Sequence, residues 1–268
     1  MVERVPTRVG EVAYSDCGAG PVVVLLHATL HDRHDFDAIA SRLVYDHRVI
    51  AVDWPGHGDS PPRSPNYRPT AASFADVLAD LVAALDLPPA AFIGNSVGGF
   101  AAARLAITEP QRVSRLVLVN SGGFITSPAS KLYCRALGTP VVMRRILPWF
   151  VRSYLKATSD NDRLAQERTL ARAHTREGVE LTAALWRSFA SPEYDLRPDA
   201  ARITAPCLIV WGSHDTAIPL RFGRLTAARI PGSRLQTLPT GHVPFSSDPD
   251  GFLSIVEPFL ATAKGRTQ

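Results

Sequence analysis

Five short runs constrain this chain more than anything else in it. PVVVLLH (21–27), HRVIAVD (47–53), AAFIGN (90–95), RLVLVN (115–120) and PCLIVWG (206–212) are nearly unbroken apolar stretches rich in Val, Ile and Leu. A strand with one wet face alternates polar and apolar residues. An unbroken run fits a strand covered on both faces, as in a parallel sheet. Helical spacing fills the gaps between runs. Over 70–86, Thr70 is placed to cap, and Phe74, Val77, Leu78, Leu81, Val82 and Leu85 make one stripe; 98–108 reads as a second helix. Strand alternating with helix predicts α/β architecture with right-handed crossovers. The opening RVPTRV and EVAYSD, joined through Gly10, predict an antiparallel hairpin at the sheet edge.

The alternation lapses once. From about Ile125 to Ala200 there is no strand-like run, only amphipathic stretches such as the one that puts Leu181, Leu185 and Phe189 on one face beside Trp186. That is too long and too patterned for a loop. The expected division is a sheet domain of 1–124 and 201–268, with 125–200 inserted as a helical cap. At 268 residues this fits one large core plus an insertion.

Composition removes several function classes. MVERVPTRVG lacks the apolar run of a signal peptide, and no stretch approaches a membrane span, so a cytoplasmic location without a stable membrane anchor is expected. Cys17, Cys134 and Cys207 are odd in number and far apart, which offers neither a disulfide framework nor a metal knuckle. The basic residues are overwhelmingly Arg, and nothing suggests a nucleic-acid groove. The segment 125–200 holds twelve Arg and Lys against eight Asp and Glu, while the rest of the chain balances. The formal excess of +4 therefore lies in the expected cap, either as a solvated surface or as a field drawing anionic substrates.

The chemistry points to IGNSVGG (93–99), where a strand should turn into a helix. A serine on so tight a turn needs small neighbours, which Gly94 and Gly98 supply, and the turn lifts Ser96 above the carboxyl edge of the sheet. The helix that follows points its N-terminus at a developing oxyanion. A serine hydroxyl needs a base, and for this turn the chain order is serine, acid, histidine. Of the histidines after Ser96, His174 falls in the cap and His214 precedes the best acid. That leaves His242, in LPTGHVPF after the last strand. Asp215 alone among the later acids follows a sheet strand, in CLIVWGSHDTAIP, where its carboxylate meets the histidine above the sheet.

With LLHAT after the third strand, DWPGHGDS (53–60) after the fourth, GNSVGG, WGSHDTAIP and GHVPF, the chain closely resembles the α/β-hydrolase family over nearly its whole length. The resemblance implies an eight-stranded, mostly parallel sheet flanked by helices, with a cap between strands six and seven. It implies an oxyanion hole from the backbone N–H groups of Thr29 and Val97, with His27 bracing the loop from behind. Ala28 stands where the family usually has Gly and Leu30 where Pro is common, so any unusual backbone angle there would strain Ala28. The glycines around His57 are expected to make a tight turn, with the histidine structural.

HATLHDRHDFD (27–37) is dense in potential metal ligands, but it lacks H-E-x-x-H spacing and no distant His/Cys cluster completes a site. No metal and no cofactor are expected; Asp32 to Asp35 should instead open a helix. Phe36, Asn95, Phe124, Trp149, Tyr154, Trp186, Phe189 and Val243 are the candidate pocket residues. The basic, aromatic stretch 141–155 could touch a membrane surface, although Pro148 should interrupt it as a helix. The function expected is hydrolysis of a small to medium, largely apolar ester, lactone or thioester through an acyl-enzyme. The alternatives are carbon–carbon bond hydrolysis of ring-cleavage products, which Asn95 would match but Val243 after the histidine does not, cofactor-free haloperoxidase-like chemistry, or a ligand receptor on this fold. The partner is a small molecule; oligomeric state is open.

Overall fold

The computed structural model describes residues 2–61, 67–125 and 127–261. In chain order the elements are β1 (Val2–Thr7), β2 (Gly10–Cys17), β3 (Val22–Leu26), α1 (Asp37–Leu43), β4 (Arg48–Val52), α2 (Ala71–Ala84), β5 (Ala90–Asn95), α3 (Val97–Thr108) and β6 (Val113–Val119). Four helices follow: α4 (Pro128–Leu137), α5 (Pro140–Tyr154), α6 (Asp160–Ala173) and α7 (Arg176–Ser188). The chain then returns through β7 (Cys207–Gly212), α8 (Leu220–Ala227), β8 (Arg234–Leu238), α9 (Pro244–Ser247) and α10 (Pro249–Ala261).

The eight strands form one sheet in the order β1-β2-β4-β3-β5-β6-β7-β8. β1 and β2 pair antiparallel, β2 joins β4 antiparallel, and every pairing from β4 to β8 is parallel. The unbroken apolar runs are explained by two cores. Val24, Leu26, Phe92, Leu118 and Ile209 pack under α2 and α3 on one face, while their neighbours Val23, Leu25, Ile93, Val119 and Val210 pack on the other with residues of α1 and α10. Each strand residue thus feeds one core or the other, and each apolar side chain fully withdrawn from water contributes about 1.5–3 kcal/mol.

Thr70 caps α2 as expected, accepting from the Ser73 N–H at 3.0 Å while Ser73 Oγ accepts from the Thr70 N–H. Pro148 does not interrupt its helix: α5 runs through it from Pro140 to Tyr154. Met143, Leu147, Val151 and Tyr154 all bury on one stripe of α5, and that packing outweighs the roughly 3 kcal/mol that an internal proline costs. Among the described residues no helix is long and apolar enough to cross a membrane.

Candidate active site

At the end of β5 the backbone enters an unusual conformation. Ser96 sits at φ 55°, ψ −113°, between strand and helix. Its N–H donates to Val119 O at 3.0 Å, and its carbonyl accepts from Phe100 and Gly122 N–H at 3.1 and 3.0 Å. These bonds hold a geometry that a non-glycine residue otherwise avoids. The turn closes only because its neighbours lack side chains. A Cβ at Gly94 would run into the backbone of Gly98 and Gly99, and one at Gly98 into the carbonyl of Leu26.

Asp215, just after β7, and His242, after β8, are both buried and meet above the sheet. His242 Nδ1 donates to Asp215 Oδ2 at 2.7 Å, which leaves Nε2 as the basic nitrogen. The other carboxylate oxygen accepts from Ala217 and Ile218 N–H at 2.7 and 2.9 Å. Asn120 completes the arrangement. Its side-chain amide donates to Asp215 Oδ2, and its Oδ1 accepts from Gly212 N–H at 3.0 Å. Asn120 is itself at φ 43°, at the end of β6. Sequence reasoning missed it. RLVLVN shows an asparagine ending a strand, but not that the strand adjoins the acid.

The loop after β3 is stitched to the loop after β4. His27 Nδ1 donates to Ala28 O at 2.7 Å, and its Nε2 accepts from Trp54 N–H at 3.0 Å. Trp54 Nε1 returns a bond to His27 O at 2.8 Å. Burial pushes His27 down to about 4, so the ring is neutral and keeps this donor–acceptor pattern. His57, likewise driven well below its ordinary value by burial, accepts the Leu30 N–H at 3.1 Å. The backbone strain expected at Ala28 falls elsewhere: Leu30 has φ 74°, and Ala28 is not among the positive-φ residues. His57 is structural as expected, but it also acts on this loop, between two glycines at φ 79° and 50°. Thr29 is on the cavity wall, and Val97 is the first residue of α3, where backbone N–H groups lack intrahelical partners.

The acidic, histidine-rich segment is occupied by internal pairing. Asp32 caps a 3-10 turn at Arg33–Phe36 by accepting from His34 N–H at 3.1 Å. Arg33 pairs with Asp53 and Asp59. His31 Nδ1 pairs with Asp35, its Nε2 lies 2.8 Å from the Tyr154 hydroxyl, and Arg168 of α6 binds both Asp35 and Asp32, at 2.8 and 3.2 Å. Burial pushes the Tyr154 phenol up, out of the range in which it ionises. Among the described residues no group of three or more His, Cys, Asp and Glu could hold a metal ion.

A cavity of about 470 Å³ opens between the sheet edge and the α4–α7 segment, and both Ser96 and His242 line it. Of the candidate pocket residues, Tyr154, Trp186 and Phe189 are on its wall; Tyr154 packs edge-on against the His242 ring, centroids 5.5 Å apart. The others lie elsewhere. Phe36 is wholly buried, stacked on Phe245 at 4.3 Å, because the 3-10 turn faces the core rather than the cavity. Asn95 is the last residue of β5 and points into the sheet, donating to Val119 O and His242 O at 3.1 and 3.0 Å. Phe124 and Val243 are core residues, and Trp149 is 71% exposed, on the outer side of α5. Phe150, Ile218 and Phe222 line the cavity without having been singled out for it.

The model of the alpha/beta hydrolase family matches residues 23–255. A pimeloyl-(acyl-carrier protein) methyl ester esterase from Neisseria meningitidis is 31% identical over 262 residues, spanning 91% of this chain and 80% of its own. A 2-hydroxy-6-oxononadienedioate/2-hydroxy-6-oxononatrienedioate hydrolase from Cupriavidus pinatubonensis is 30% identical, covering 82% and 80%. Among solved structures, a hydrolase from Pseudomonas aeruginosa superposes with a TM-score of 0.82 at 29% identity, covering 97% of this chain and 98% of that one. The chain belongs to the alpha/beta hydrolase family, and it is an enzyme of the hydrolase class.

Proposed function

We propose that this protein is a serine esterase acting on a small to medium, largely apolar ester by a two-step acyl-enzyme mechanism. The observation that carries the reading is the shared cavity: Ser96 and His242 line it, with Asp215 bonded behind the histidine. His242 Nε2 takes the Ser96 proton as Oγ attacks the ester carbonyl. Asp215 holds the ring in the tautomer that leaves Nε2 basic, and stabilises the imidazolium as it forms. The Thr29 and Val97 N–H groups receive the oxyanion. The tetrahedral adduct collapses, the alcohol leaves with the proton from His242, and water repeats the sequence to release the acid.

The cavity walls fit this substrate class. Leu147, Phe150, Trp186, Phe189, Ile218 and Phe222 offer an apolar surface, and apolar burial is what holds an acyl or aryl group. In this reading α4–α7 form the cap, and the sheet domain supplies the chemistry. The test is a panel of para-nitrophenyl esters of increasing acyl length under pre-steady-state conditions. A burst of nitrophenol followed by slower turnover is expected, with both phases lost in Ser96→Ala. Turnover that survives in Ser96→Ala would overturn the reading.

A further inference from the structure

We propose that the ester carries a carboxylate remote from the scissile bond, and that Arg221 receives it. This rests on the esterase reading of the same cavity and names its substrate class more narrowly.

Apart from His242, Arg221 is the one ionisable Arg, Lys, Asp, Glu or His side chain on the cavity wall among the described residues. Among the described residues no Asp or Glu lines the cavity. The formal excess of the α4–α7 segment plays no part in that wall, since none of its Arg or Lys residues borders the cavity. Those cations are spent in part on protein groups: Arg163 on Asp160, Arg168 on Asp32 and Asp35, Arg176 on Glu180. The cation that reaches the cavity comes instead from α8, six residues past Asp215.

Arg221 has no ion-pair partner among the described residues, and its guanidinium lies over the Phe222 ring, 4.8 Å from the centroid. A guanidinium on an aromatic face keeps its N–H edge available, and that edge matches the two oxygens of a carboxylate. A carboxylate placed there would meet a cation without a competing acid, on a wall that is otherwise apolar or hydroxyl-bearing and uncharged apart from His242. The neutral body of the substrate would fill the apolar part. The net charge of the whole chain, +4, has the right sign to draw such an anion.

The experiment compares substrates that differ only at the far end. One series holds para-nitrophenyl hexanoate, the mono-para-nitrophenyl ester of adipic acid and the 6-aminohexanoate ester. A second series places the same neutral, carboxylate or ammonium end on the alcohol side. In at least one series the carboxylate member should exceed the neutral member in kcat/KM by roughly three- to tenfold, the range for a partly exposed charge-assisted contact. Added salt should shrink that ratio. Arg221→Gln should remove the preference, Arg221→Lys should keep part of it, and Arg221→Glu should turn it toward the ammonium member, with thermal unfolding showing that each variant is folded. Equal kcat/KM for the three members in both series, or a carboxylate preference unchanged in Arg221→Gln and Arg221→Glu, would overturn the inference while leaving the esterase reading intact. Absence of turnover on every ester would count instead against that reading.

Discussion

A methyl group added at position 98 would meet the Leu26 carbonyl, on the strand beside the nucleophile turn. Neither partner is a flexible side-chain end, so the clash must be relieved by moving backbone. Gly98→Ala should therefore lower stability by about 1–3 kcal/mol, read as a shift in the urea midpoint; an unshifted midpoint would mean the turn is looser than described. Asn120 allows a cleaner separation of chemistry from packing. Because its φ is 43°, Asn120→Gly keeps the backbone geometry while removing the amide that holds Asp215 and also bonds Gly212 N–H and Gly241 O. Loss of a hydrogen bond to a charged group, about 1.5–3 kcal/mol, should lower kcat roughly ten- to hundredfold with little change in KM. A kcat within twofold of the parent would remove Asn120 from the machinery. The meeting of Asp215 with His242 beside the cavity that Ser96 lines was legible from sequence, because Ser96 and Asp215 each follow an apolar strand and the histidine was reached by chain order and elimination. Asn120 and the bond from Leu30 N–H to His57 were not. They depend on which strands lie side by side, and no local pattern encodes that.

The segment His31–Asp37 joins the loop after β3 to α5 and α6. Its acids bind Arg168 of α6, and its His31 binds Tyr154 of α5, whose ring rests against His242. Arg168→Met would leave the buried Asp35 without its guanidinium partner. Arg168 is itself a third exposed, so the loss is expected at about 1–2 kcal/mol, below that of a fully buried pair. Arg176→Met, which breaks the exposed Arg176–Glu180 pair, should give no measurable change, and equal effects of the two would contradict the joining role. Because both His31 nitrogens are engaged, prolonged EDTA treatment should leave activity unchanged; loss restored by zinc would refute this. At this scale the sequence was readable where burial was strong and silent where it was weak. β8, RLQTL, buries only Leu238 fully and so shows no apolar run. Pro148 suggested a break because its local cost is visible in sequence, whereas the buried stripe that outweighs it becomes decisive only once α5 is packed. The pocket residues were the least legible. Aromatic residues crowd α5 and α7, but which of them face the cavity depends on how the helices are turned.

For the molecule as a whole, the buried histidines His27 and His57 behind the loop after β3 set a response to acid. Burial lowers His27 from 6.5 to about 4. The unfolded chain therefore binds a proton there that the folded chain refuses between those values, and the stability gained from a neutral His27 is complete above pH 6.5. It is lost as pH falls, by on the order of 3 kcal/mol when pH 4 is reached. His57 is shifted the same way and adds to the loss. Urea midpoints measured from pH 7 to pH 4 should fall steadily, and flat midpoints would contradict the buried, neutral assignment. The α/β class and the place of the four-helix segment were legible in the alternation of elements, whereas strand order, which depends on pairing between distant segments, was not. In the proposed mechanism Ser96 is the group that becomes acylated, and one measurement reaches it directly. After treatment with a fluorophosphonate, intact-mass analysis should show a single adduct that peptide mapping places on Ser96, with no adduct in Ser96→Ala. An adduct on another residue, or one that persists in Ser96→Ala, would contradict the account.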